Sequence, residues 1–189
     1  MEAIEVQTRD LFGWFTEKIL EVRQTRGKHE VHSQEDPMTT IYLASLLTHL
    51  ISSPWLLDLD KSGHRLDIDV AERTSKSATT TRQRMEIYRA AADRYLLYLG
   101  LWDGLQGRQQ NRYYQITEDN LANRAVAYYG YASDLAERLP PPSSQTAQVL
   151  HELSMNLGMY LGILLAMRGD VFHLYPAVTP GEEFHLFRG

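Results

Sequence analysis

A chain of 189 residues, 43% hydrophobic and 23% charged, is long enough for one domain with its own core and too apolar to stay disordered. It contains no cysteine, which excludes disulfides, thiolate metal sites and a cysteine nucleophile. The formal net charge of −5 is uneven: residues 1–75 carry −5, residues 76–124 carry +3 and residues 125–189 carry −3. A mildly basic middle between acidic flanks suits pairing within the chain or between subunits. A nucleic-acid footprint needs a denser basic stripe, so nucleic acid is not the expected partner.

The opening MEAIEVQTRDLFGWF is acidic and then amphipathic, without the basic start and apolar run of a secretory leader. A cytoplasmic location is the expectation. From Ala3 to Arg26, Leu11, Phe12, Phe15, Ile19 and Val22 recur at three- and four-residue steps, with Arg9, Glu17, Glu21 and Arg23 mainly elsewhere. This predicts a helix closed by Gly27. A polar link follows, and Asp36-Pro37 then reads as cap and first residue of a second helix. Tyr42, Leu46 and Leu50 line one of its faces, with Leu43, Leu47 and Ile51 beside them, and Pro54 stops it. The stretch from Trp55 to Arg73 predicts a turn and a short helix.

The helical period returns from Ala78 to Gly100, with Met85, Tyr88, Ala92, Tyr95 and Leu99 as the stripe and Arg82, Arg89 and Asp93 off it. Its end, YLLYLGLW, is apolar all round, which predicts a terminus enclosed on every side. A glycine-punctuated loop leads to Thr117, the expected cap of the next helix, with Glu118 and Asp119 in the first turn. Leu121, Ala125, Tyr128, Ala132, Leu135 and Leu139 alternate four- and three-residue steps, the seam of an antiparallel bundle. Pro140 to Pro142 break it. A last helix is expected from Ser144 to Arg168, ended by Gly169, with Gly158 and Gly162 marking a tight buried crossing. Its apolar run, Leu157 to Met167, falls short of the ~20 residues that span a bilayer, so a core helix and no membrane association are expected.

The predicted architecture is all-α: a single-domain bundle of five or six helices over 1–169, with an aromatic tail over 170–189 packed on the bundle or on a partner subunit.

Chemical signatures are sparse. Paired Glu-x-x-His motifs on facing helices, as a dimetal bundle requires, do not occur; the spacings available are Asp170/His173 and Glu182/His185, both in the expected tail. No Gly-x-Ser-x-Gly, Ser-x-x-Lys, Gly-x-Gly-x-x-Gly or P-loop is present. No catalytic residue, metal or cofactor is therefore expected.

One constellation stands out. Of 11 tyrosines, Tyr88, Tyr95, Tyr98, Tyr113, Tyr114, Tyr128, Tyr129 and Tyr131 fall within 44 residues, accompanied by arginines that include Arg94 and Arg124. Buried tyrosines carry hydroxyls that need partners, so they mark a polar-laced core, an interface or a lined pocket. In the pocket reading, Tyr88, Tyr95, Tyr98, Tyr128, Tyr131, Arg94 and Arg124 bind a small anionic ligand between two helices. In the interface reading, the surplus of Trp14, Trp55, Trp102, Leu105, Phe172, Tyr175, Phe184 and Phe187 serves a homodimer or a protein partner.

Three stretches, IYLASLLTHL (41–50), YRAAADRYLLYLGLW (88–102) and the run from Tyr113 through AYYGYASDLA (127–136), resemble an uncharacterised family of small all-helical bacterial proteins. In that family a Tyr-Leu-x-x-Leu-Leu helix precedes an aliphatic stretch ending in glycine and an aromatic, then a tyrosine pair and an Ala-Tyr-x-x-x-Leu-Ala-like helix. The interval from Tyr114 to Tyr128 is longer here than in that pattern. The resemblance implies an all-α fold, and no reaction or ligand. The leading expectation is an interaction or scaffold module that acts as a homodimer; the alternative is a small-ligand carrier or sensor.

Overall fold

Periodic apolar stripes produce the helices, and the proline run at 140–142 separates two of them. A computed structural model describes residues 8–27, 37–52, 74–102 and 118–174. Of these, 91% are helical, and no strand occurs among the described residues. The helices are α1 (Thr8–Gly27), α2 (Pro37–Ser52), α3 (Thr81–Leu97), α4 (Glu118–Glu137), α5 (Ser144–Met155) and α6 (Leu157–Leu174). A single helical turn covers 74–77, and α3 continues as a π-helical segment, Tyr98–Trp102. The protein is an all-α, single-domain bundle, as its periodicity predicts.

The pairs α3/α4, α4/α5 and α1/α2 pack most extensively. Across them lies α6, touching α1, α3, α4, α5 and the π-helical segment. Its inner face (Leu157, Tyr160, Ile163, Leu164, Met167, Val171) is buried among Phe15 and Ile19 of α1, Leu96 and Leu101 near the end of α3, and Leu150 and Leu153 of α5. Each such side chain contributes about 1.5–3 kcal/mol on burial, so this common core holds the helices together.

Local chemistry sets the starts and stops. Thr80 closes a capping box at the head of α3: the Gln83 amide donates to its hydroxyl at 3.1 Å, and the Thr80 amide donates to Gln83 Oε1 at 3.2 Å. The expected start at Ala78 therefore moves to Thr81. The enclosed end of α3 is as expected: Leu96, Leu97, Leu99, Gly100 and Leu101 are all buried. The proline run ends α4, and α5 begins two residues beyond it.

Several sequence expectations need correction. The single helix expected over Ser144–Arg168 is two, because Asn156 leaves helical geometry at φ −120°, ψ 28°. Its amide donates to the Glu152 carbonyl at 3.0 Å, while its own carbonyl accepts from Met159 and Tyr160, so one residue ends α5 and begins α6. Gly169 does not terminate the helix; Val171 and Phe172 beyond it pack on the core and carry α6 to Leu174, past the expected tail boundary at 170. Gly158 does not sit at a buried crossing, since a β-carbon there would meet nothing within 4 Å. The close approach occurs at Gly100, where a β-carbon would lie 2.6 Å from Leu164 Cβ. Arg23 and Asp93, placed off the apolar stripes by periodicity, are both buried. The α2 face is centred on Leu43, Leu47 and Leu50, with Tyr42, Leu46 and Ile51 at its margin. The Thr117 cap, Asp36, Pro54, Trp55, Leu105, Tyr113, Tyr114 and the tail from Tyr175 lie outside the described residues.

Candidate functional site

The expected tyrosines converge where α3 meets α4. Their rings form a chain from surface to interior. Tyr131 is 53% exposed, and its ring lies 5.5 Å from that of Tyr88. Tyr88 lies 5.4 Å from buried Tyr128, which stacks on buried Tyr95 at 6.0 Å and 27°. These separations are those of touching aromatic pairs, each worth about 0.5–1.5 kcal/mol beyond burial. The Tyr88 hydroxyl shares a 2.9 Å hydrogen bond with Ser75 Oγ in the turn before α3. Tyr98 opens the π-helical segment and packs half-buried on the core. Arg94 and Arg124 are half-buried on α3 and α4.

Burial lowers the Arg94 guanidinium from its ordinary range, with Tyr95 and Asp93 pulling it back up. Its Nε–H, like that of Arg89, is buried and donates to nothing among the described residues.

The main polar node lies one step away, on residues outside the expected set. Asp93 is 8% exposed, and its Oδ1 accepts from the Tyr42 hydroxyl at 2.7 Å and the Tyr129 hydroxyl at 2.8 Å. One carboxylate oxygen therefore joins α2, α3 and α4. Burial pushes its pKa up to about 6, against the two tyrosine hydrogen bonds and the Arg89 charge, which favour ionisation. Both phenols are held well above their usual value by burial and by the neighbouring carboxylate. Tyr129 adjoins Tyr128 in sequence, but the ~100° turn between successive helix positions aims it at Asp93 instead of the ring chain. A partial sequence signal did exist: Asp93 follows Ala90–Ala92 and has Leu96 and Leu97 three and four positions on, although Arg89 and Arg94 adjoin it on the helix.

A second polar node marks the α5/α6 break. Glu152 Oε1 accepts from the Asn156 carboxamide at 2.9 Å and from the Tyr160 hydroxyl at 3.1 Å. Burial, then Glu152, raises the Tyr160 phenol. The Arg23 guanidinium lies 5.8 Å from the centre of the Tyr160 ring and donates to Thr40 Oγ1 on α2. No group of three or more His, Asp or Glu side chains converges among the described residues as a metal centre needs. Asp170 and His173, assigned to the tail by sequence, stand exposed on the last turns of α6.

The outer face of α6 is the third feature. Gly158, Gly162, Leu165, Gly169 and Phe172 follow at steps of four, three, four and three; Gly158, Leu165 and Gly169 are exposed and the other two half-buried. None is charged. β-Carbons at Gly158 and Gly169 would both meet open space, and Leu165 is 48% exposed. By length and composition, Leu157–Leu174 is also apolar enough to cross a membrane, and 33% of it is buried in the bundle. Of the aromatics expected at an interface, Trp14 and Phe172 pack half-buried on the core, Trp14 against Phe15 at 5.1 Å.

No protein-family model, no curated protein and no solved structure matches this chain.

Proposed function

We propose that the protein is a cytoplasmic interaction module that acts by binding rather than catalysis, as a homodimer joined through the outer faces of α6. The observation that carries this reading is the uncharged heptad-like stripe Gly158–Gly162–Leu165–Gly169–Phe172, in which Gly158, Leu165 and Gly169 stand exposed among the described residues and Gly162 and Phe172 are half-buried. A water-facing helix surface is ordinarily polar, and an exposed apolar stripe marks a contact. The stripe also matches itself. An antiparallel second copy sets Gly158 against Gly169 and Gly162 against Leu165, so small residues admit a close backbone approach and each leucine fills the space above a glycine.

Gly158→Leu tests this directly. Among the described residues nothing lies within 4 Å of the added β-carbon, and replacing a helical glycine adds about 1 kcal/mol of helix propensity. The variant is expected to fold at least as stably and to run as a monomer in light scattering, while the natural chain runs as a dimer. A natural chain that is monomeric at high micromolar concentration would sink the proposal. So would co-flotation with phosphatidylcholine vesicles, which assigns the face to a bilayer.

The alternative, a small-ligand carrier between the Tyr88–Tyr98 and Tyr128–Tyr131 faces, is favoured by the buried Nε–H groups of Arg89 and Arg94. It requires the touching rings to part. It predicts extra mass in native mass spectrometry that denaturation removes.

A further inference from the structure

We propose that Asp93 is a proton-operated catch on α2: the protonated carboxyl keeps the helix closed on the α3/α4 pair, and ionisation favours its release. This is independent of the α6 contact. The geometry carries it. Asp93 lies between α3 and α4, whose mutual contact is the most extensive in the bundle, and Tyr42 of α2 bonds to it from outside that pair. The main packing of α2 is on α1 and α5, so its Tyr42–Asp93 bond can open while the α3/α4 pair stays intact.

The groups acting on the carboxyl are Tyr42 from α2, Tyr129 from α4, and Glu86, Arg89 and Arg94 from its own helix. Arg89 is itself paired with Glu86, so its charge is partly spent. Two phenol hydrogen bonds favour the ionised form, but enclosure outweighs them. When α2 lifts, water reaches the carboxyl and its pKa falls back towards the ordinary value. The closed form thus binds the proton more tightly than the open one. By linkage, protonation stabilises closure, and closure weakens as pH rises from about 4 to about 6, levelling off above. A difference of about two pH units changes the closed-to-open ratio by ~100-fold at most.

Hydrogen exchange of the α2 amides, corrected for the intrinsic pH dependence of exchange, reads this ratio. Protection across Pro37–Ser52 is expected to fall by up to ~30-fold between pH 4.5 and 7.5, with protection of α6 changing little. Asp93→Asn keeps an acceptor for both phenols and removes the titration, so α2 should stay protected at both pH values. Tyr42→Phe removes a donor to the ionised form, and its midpoint should move to higher pH; this reads the same catch if the asparagine variant does not fold. Equal protection of α2 at both pH values overturns the proposal. So does an unchanged pH response in Asp93→Asn, or an unmoved midpoint in Tyr42→Phe.

Discussion

Gly100 lies so close to Leu164 that a β-carbon on it would sit 2.6 Å from the Leu164 β-carbon and 2.8 Å from its Cδ1. The π-helical segment Tyr98–Trp102 and α6 therefore meet backbone to side chain, with hydrogen as the largest group that fits at position 100. An extra residue per turn in a π-helix moves the following side chains round the axis, and here it brings the glycine to the contact and buries Leu101 beside it.

Gly100→Ala should destabilise the protein by about 1–3 kcal/mol, because Leu164 is wholly buried and cannot swing clear. Gly13→Ala is the matched control: it sits on the exposed face of α1 with nothing within 4 Å of the added carbon, and should gain about 0.5–1 kcal/mol. Urea unfolding of the two variants beside the parent reads both signs, and equal effects would show that the contact at position 100 is not tight.

Removing the Tyr129 hydroxyl takes one donor from a buried carboxylate. At pH 7.5, where Asp93 is mostly ionised, Tyr129→Phe should cost about 2 kcal/mol, as for hydrogen bonds to charged groups. At pH 4.5 the acid is mostly neutral and the loss should be smaller. Denaturant midpoints at the two pH values give the comparison, and a loss independent of pH would place the role of this hydroxyl elsewhere.

Alkali should find three tyrosines late. Burial and nearby carboxylates raise Tyr42, Tyr129 and Tyr160 above the ordinary phenol range. The folded chain then holds more protons than the unfolded one above about pH 10, so stability falls as pH rises through that range. Ultraviolet titration at pH 11 should show at least three fewer phenolates in the native chain than in urea. Matching curves would mean that these hydroxyls are open to solvent.

Thr80→Ala removes half of the capping box at the head of α3 and leaves the Gln83 amide without its partner. A loss of about 1 kcal/mol is expected, visible as a lowered midpoint in thermal unfolding. A value near zero would mean that water replaces the hydroxyl at no net cost.

Much of the fold was legible because helices announce themselves through spacing. Leu11, Phe15 and Ile19 on α1, and Leu121, Ala125, Tyr128 and Ala132 on α4, are buried as their three- and four-residue steps require. The break at Asn156 was not, because an asparagine inside an apolar helix reads as a tolerated polar residue until its carboxamide finds Glu152. Of the expected site residues, Tyr88, Tyr95, Tyr128 and Tyr131 do come together. The pairing of Tyr42 with Asp93 escaped notice, since they lie 51 positions apart and periodicity assigns a lone aspartate to solvent.

What the sequence determined by itself was the helical class, the proline break after α4 and the inward stripe of most helices, because these depend on contacts within a few residues. Tertiary structure alone decided which polar groups are buried and which apolar groups are not. Asp93 is enclosed because two tyrosines from other helices satisfy it, and Arg23 because Thr40 and the Tyr160 ring receive it. Leu165 is left in the open because the bundle covers one side of a helix whose run Leu157–Met167 carries no charge on any side. Spacing along one helix cannot report how many neighbours that helix will have, and that number decides which of its faces meets water.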